Sequence, residues 1–89
     1  LEEGSILLLN GLITIGRKDG NTIKLTDQYV SGNHAKIVVK NNEILIEDLN
    51  STNGVFINDE KVDKYAKLRA NDKIRIGSAT FKVIRAEKN

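Results

Sequence analysis

The apolar residues of this chain fall in short Ile, Val and Leu runs, broken about every eight to twelve residues by Asn, Asp or Gly pairs. Proline is absent, and there are two Tyr and two Phe. Runs of that length alternate or are wholly apolar, which is the period of strands and not of helices. Residues 63–70 have neither an apolar stripe nor a cap, so no helix of useful length is expected. The pattern predicts an all-β, two-sheet antiparallel sandwich.

Individual strands follow from the same pattern. Residues 6–9 and 12–15 flank Asn10-Gly11, the dipeptide that best accepts the two positive φ angles of a type I′ turn, and they predict a hairpin. Residues 23–25, 35–39 and 43–47 read as neighbouring antiparallel strands, with a reversal at Asn41-Asn42. Residues 55–57 lead through Asn58-Asp59 to a short returning strand at 61–62, and residues 74–76 and 80–84 close the fold around Gly77-Ser78.

Eighty-nine residues make one domain, 1–89, able to bury roughly 60% of the surface its unfolded chain exposes. The absence of cysteine removes disulfides and thiolate metal sites, and a single His builds no zinc site by itself, so neither metal nor cofactor is expected. No apolar run approaches the roughly eighteen residues of a membrane span, and the start does not read as a signal peptide. A cytoplasmic setting without membrane contact is the expectation. Fourteen Lys and Arg against twelve Asp and Glu leave a net charge of +2, which favours anionic ligands only weakly. The chain starts at Leu1 and has no Met, so it reads as a piece excised from a larger protein.

Three polar blocks interrupt the strands: Gly16-Arg17, then Ser31-Gly32-Asn33-His34-Ala35, then Asp48-Leu49-Asn50-Ser51-Thr52-Asn53-Gly54. In a sandwich all three are loops, and a rigid β scaffold that gathers loops at one end makes a recognition surface. A phosphate group carries about −1.5 to −2 charges and three strong acceptor oxygens. Arg17 offers a planar fork, Ser31 a hydroxyl, and Thr52 a hydroxyl or its backbone N–H. Two or three charge-assisted bonds of about 1.5–3 kcal/mol each account for micromolar affinity, about −8 kcal/mol.

Those blocks, in that order and followed by Lys67-Leu68 and the stretch 71–77, resemble the signature of the forkhead-associated (FHA) domain over nearly the whole chain. The resemblance implies an FHA-type sandwich that binds a phosphothreonine-containing segment of another protein, or of its own parent chain, marked by a Ser/Thr protein kinase. It places Arg17 and Ser31 at the family's phosphate-binding arginine and serine, Thr52 in the phosphothreonine pocket, and Asn53 at the asparagine that bonds the peptide backbone. His34 matches a histidine bracing the loops from behind; Gly16 and Gly54 match glycines that shape them. Gly32 departs from the family, which usually has a polar side chain gripping the phosphate there. The missing donor weakens binding by roughly one to two powers of ten unless Lys18, Asn33 or a backbone N–H replaces it. Loops 18–21, 26–30 and 58–64 are the expected readers of flanking sequence. The resemblance also implies, should the pocket be degenerate at Gly32, a phosphate-independent docking domain.

Other classes fit less well. Ser31, His34 and Asp48 are the residue types of a hydrolytic triad, but no Gly-x-Ser-x-Gly elbow is present and Asp48 equally serves to orient the loop after it, so an enzyme is not expected. Single-stranded nucleic acid wants aromatic platforms, and of Tyr29, Phe56, Tyr65 and Phe81 the two phenylalanines fall at expected core positions, so no dedicated nucleic-acid site is expected. Taken singly, Arg17 reads as a solvated charge, and Ser31, Thr52 and Asn53 read as turn residues bonding their own backbone.

Overall fold

A computed structural model describes residues 2–8 and 11–85. Among them are ten strands and no helix: β1 (Glu2–Leu8), β2 (Gly11–Gly16), β3 (Ile23–Lys24), β4 (Ala35–Lys40), β5 (Glu43–Asp48), β6 (Val55–Ile57), β7 (Glu60–Lys61), β8 (Tyr65–Leu68), β9 (Lys73–Ile76) and β10 (Ala79–Arg85). They form two five-stranded sheets, ordered β1-β10-β9-β6-β7 and β3-β2-β4-β5-β8.

Pairing is mostly antiparallel, in keeping with the sequence pattern. Only the edge strands β1 and β3 pair parallel, with β10 and β2 respectively. Thus residues 23–24 do not join the antiparallel series as the pattern suggested. The hairpin expected at residues 6–15 is not formed either: β1 and β2 lie in different sheets. Both edges of β2 are occupied, by β3 and by β4, so β1 has no place beside it and pairs with the open edge of β10. Asn10 and Leu9, which belonged to that expectation, lie outside the described residues.

Type I′ reversals occur at two other places. Asn41 and Asn42 (φ 54° and 64°) join β4 to β5, and Asn58 and Asp59 (φ 49° and 71°) join β6 to β7. Asn and Asp tolerate these left-handed angles better than branched residues. The strand β8 had no separate strand signal beyond Lys67-Leu68, because its exposed positions hide a short alternation. It extends the second sheet by pairing antiparallel with β5.

Alternation directs one face of each sheet inward. From the second sheet Ile15, Ala35, Ile37, Val39, Ile44, Ile46 and Leu68 meet Val55, Ile74, Ile76 and Val83 of the first in one buried cluster. Each fully buried Ile or Val contributes about 1.5–3 kcal/mol, so this cluster holds the sheets face to face. Phe81 packs against it, whereas Phe56 does not: it alternates to the outer face, where the Arg75 guanidinium lies 4.2 Å over its ring. The strand directions bring the ends of β2, β5 and β9 and the starts of β4, β6, β8 and β10 to the same end of the sandwich.

Candidate functional site

The loops at that end are residues 17–22, 25–34, 49–54 and 62–64, joined by the 77–78 turn. They are tied to one another more than to themselves. Residues 17 and 18 run beside 31 and 32, with the Arg17 N–H donating to the Ser31 carbonyl (2.9 Å) and the Lys18 N–H to that of Gly32 (3.1 Å). This close pairing explains Gly16. A Cβ there would lie 2.1 Å from the Gly32 carbonyl oxygen and 2.8 Å from Asn21 Nδ2, so only a hydrogen fits.

The loop of residues 49–54 is folded by its own polar side chains. The Asp48 carboxylate accepts the Ser51 N–H at 2.9 Å, and the Ser51 hydroxyl accepts the Gly54 N–H at 2.9 Å. Two successive turns of this kind are the local chemistry that Asp and Ser favour. Gly54 then adopts φ +89°, a left-handed angle unsuited to a side chain.

His34 joins the loops from beneath. It is fully buried; its Nδ1 accepts the Ser31 N–H at 3.0 Å, and its Nε2–H donates to the Gly54 carbonyl at 2.8 Å, a tautomer assigned from these two partners. Both ring nitrogens are therefore engaged by backbone. Ser31 and His34 come together, but through the Ser31 N–H rather than its hydroxyl, and Asp48 faces Ser51 instead of His34. The geometry of a hydrolytic triad is absent from these three residues.

Arg17, Ser31, Thr52 and Asn53 meet on the outer surface of this frame. The Arg17 Nε–H donates to the Val30 carbonyl at 3.0 Å, which orients the guanidinium; its two terminal nitrogens have no partner among the described residues. Ser31 Oγ accepts the Thr52 N–H at 3.0 Å, leaving its own proton to donate outward. The Thr52 N–H is thereby occupied, and only its hydroxyl remains for a ligand. Asn53 Nδ2 donates to the Tyr29 carbonyl at 2.9 Å, leaving its oxygen available. Gly32 contributes no side chain; its carbonyl takes bonds from the Lys18 N–H and from Asn21 Nδ2 (3.0 Å).

Two contributors, Asn21 and Asp27, carried no sequence signal beyond their place in the loops 18–21 and 26–30. Asn21 bonds the Lys18 and Gly32 carbonyls and so links two loops. Asp27 accepts the Tyr29 N–H at 2.9 Å, the Ser78 N–H at 2.6 Å and the Ser78 hydroxyl, fastening the loop that bears Ser31 to the β9–β10 turn. The Ser78 hydroxyl, then the Tyr29 and Ser78 N–H groups, hold the Asp27 carboxyl below its usual range. Gly77 belongs to this contact: a Cβ there would come within 2.7 Å of Val30 and 2.9 Å of Asp27. The expected reader loop 58–64 is divided: the Asn58-Asp59 turn sits at the far end of the sandwich, whereas residues 62–64 lie at the site's end, where the Lys64 carbonyl accepts the Asp48 N–H at 2.9 Å.

The family model of the FHA domain matches residues 13–77, which include every residue of this surface. The chain belongs to the FHA domain family. FhaB of Mycolicibacterium smegmatis, an FHA domain-containing protein, is 37% identical over 78 residues, covering 88% of this chain and 50% of that protein. The chain thus spans about half the length of the curated relatives it matches. A solved structure from a structural and functional analysis of phosphothreonine-dependent FHA domain interactions superposes with a TM-score of 0.80 at 33% identity, over 92% of this chain and 83% of that one. EmbR of Mycobacterium tuberculosis, in complex with a low-affinity phosphopeptide, gives 0.81 at 35% identity, over 88% of this FHA domain and 21% of that chain.

Proposed function

We propose that this FHA domain binds a phosphothreonine-containing protein segment, on a partner or on its own parent chain, at the surface formed by Arg17, Ser31, Gly32, Thr52 and Asn53. The carrying observation is the Arg17 guanidinium, held by its Nε on the Val30 carbonyl with two terminal nitrogens turned to no other group among the described residues, beside the Ser31 hydroxyl. A guanidinium pre-oriented in this way loses less freedom on pairing with a phosphate dianion. Thr52 and Asn53 supply a hydroxyl and an amide oxygen to the residues around the phosphate, and Gly16, His34 and Gly54 support the loops. Two structural relatives support this reading, one studied for phosphothreonine-dependent FHA domain interactions and the other, EmbR, bound to a low-affinity phosphopeptide.

In this reading the domain is a binding module in signalling downstream of a Ser/Thr protein kinase, on the cytoplasmic side, and performs no reaction. No helix among the described residues is long and apolar enough to cross a membrane. The test is an amide NMR titration with a degenerate phosphothreonine peptide pool beside the same pool without phosphate. Shifts centred on Arg17, Ser31, Gly32, Thr52 and Asn53, seen only with phosphate, are expected. Equal shifts with both pools would replace this reading by phosphate-independent docking, and no shift with either would reject it.

A further inference from the structure

Gly32 leaves a gap in the ligand surface, and the gap is filled from the neighbouring loop. The position that a Cβ of residue 32 would take is 3.2 Å from Lys18 Cγ, 3.4 Å from its Cδ and 3.6 Å from its Cε. Three successive methylenes of Lys18 therefore run along the Gly32 backbone. The pairing of the Lys18 N–H with the Gly32 carbonyl fixes the register that puts them there. Gly32 itself has no positive φ that would exclude a side chain; the space is simply occupied by Lys18.

The charge of Lys18 is also uncommitted. The neighbouring carboxylate, Asp19, is held by Lys24 at 2.6 Å, and among the described residues Lys18 has no ion-pair partner. A phosphate monoester brings about −1.5 to −2 charges, and Arg17 answers only one of them. His34 adds none, since its Nδ1 is an acceptor for the Ser31 N–H.

Building on the proposed phosphothreonine reading, we infer that Lys18 is the second cation of the site: it crosses Gly32 and presents its ammonium where a side chain at position 32 would otherwise reach the phosphate. The glycine and the lysine form one unit, because a larger residue at 32 would push the lysine stem out of its path. Binding by this unit is that of a point charge, so it is sensitive to salt and undemanding in geometry.

The experiment measures affinity for the phosphothreonine peptide pool by fluorescence anisotropy across a salt series, with thermal melting as the check on folding. Lys18→Met keeps the stem and removes the charge. It is expected to weaken binding about tenfold, flatten the salt dependence and leave the melting temperature unchanged. Lys18→Gln serves as a second neutral variant. Lys40→Met removes the same charge from an exposed lysine at the far end of β4, and it should leave affinity unchanged. Adding Gly32→Arg to Lys18→Met should restore most of the loss, while Gly32→Arg alone should gain little, since the two side chains compete for one space. Wild-type affinity in both Lys18 variants, or an equal loss in Lys40→Met, would overturn the inference. If the wild-type protein binds the pool and Arg17→Ala does not, the proposed function stands even where Lys18 fails; a wild-type protein that binds no phosphopeptide removes both.

Discussion

The two ends of the sandwich are built on different rules. At the far end the chain reverses in two-residue turns, Asn41-Asn42 and Asn58-Asp59, where the strain of a positive φ is carried by the turn residues themselves. At the end proposed to bind the peptide, the bonds between loops join residues distant in sequence: 13 apart for Arg17 and Val30, 20 for His34 and Gly54, 21 for Thr52 and Ser31, 24 for Asn53 and Tyr29, and 51 for Ser78 and Asp27. The far end relies first on local turn chemistry, to which the Asn58 side chain adds a tie to the β8–β9 loop, donating to the Asp72 carboxylate and accepting the Lys73 N–H at 3.0 Å each. The second end needs the whole fold, and in return it holds a surface whose outward donors are not consumed by the loops that carry them. Side chains such as His34, Ser51 and Asn21 satisfy the backbone from within, so Arg17 and the Ser31 proton remain for a ligand.

If this division is right, substitutions at the two ends separate binding from stability. The largest effect is expected for Arg17→Ala, which should lower phosphopeptide affinity by about a hundredfold or more, equivalent to two charge-assisted bonds, with little change in melting temperature because the side chain is exposed. Affinity within the wild-type range would move the site away from this end. Arg17→Lys, which keeps charge but not the fork, should recover only part of it.

A smaller effect is expected at Asp27, which touches the surface only through the loop it fastens. Its folded pKa is depressed, so its contribution is complete above the ordinary carboxylate value near 3.8 and is lost as pH falls below that value through the lowered one. Asp27→Asn should weaken the Ser78 contact at neutral pH, lower peptide affinity several-fold and remove this acid-side loss from the stability profile. Hydrogen exchange of the Ser78 and Tyr29 amides checks it directly, since both donate to Asp27. Unchanged exchange in the variant would show that the β9–β10 turn holds itself. The smallest effect belongs to the far end: Asp59→Ala at φ 71° should cost about 1 kcal/mol of stability by chemical denaturation and leave peptide binding untouched. A loss of affinity there would break the comparison by coupling the ends through the sheets.

The same division governs what could be read from the chain. Alternating runs such as 35–39, 43–47 and 74–76 announced strands, because half-buried sheets impose a period of two, and the Asn41-Asn42 and Asn58-Asp59 reversals announced themselves by residue type. Asn10-Gly11 carried the same local signal and misled, since turn chemistry permits a reversal without choosing the partner, and β2 already had neighbours on both edges. Phe56 misled likewise: an aromatic in an apolar run looks buried, yet the alternation that sends Val55 inward turns Phe56 out beneath Arg75.

By itself the sequence determined the all-β class, most strand positions, and the membership of Arg17, Ser31, Thr52 and Asn53 in one group of loop residues, through periodicity and the order of three polar blocks. Only the tertiary structure decided which groups remain free to act. That Thr52 gives its N–H to Ser31, that Asp27 and Asn21 fasten the loops, and that Lys18 lies over Gly32 all depend on contacts between segments brought together by sheet packing. Periodicity and turn chemistry act over a few residues and are written locally, whereas the neighbours of a loop side chain are set by where distant strands end.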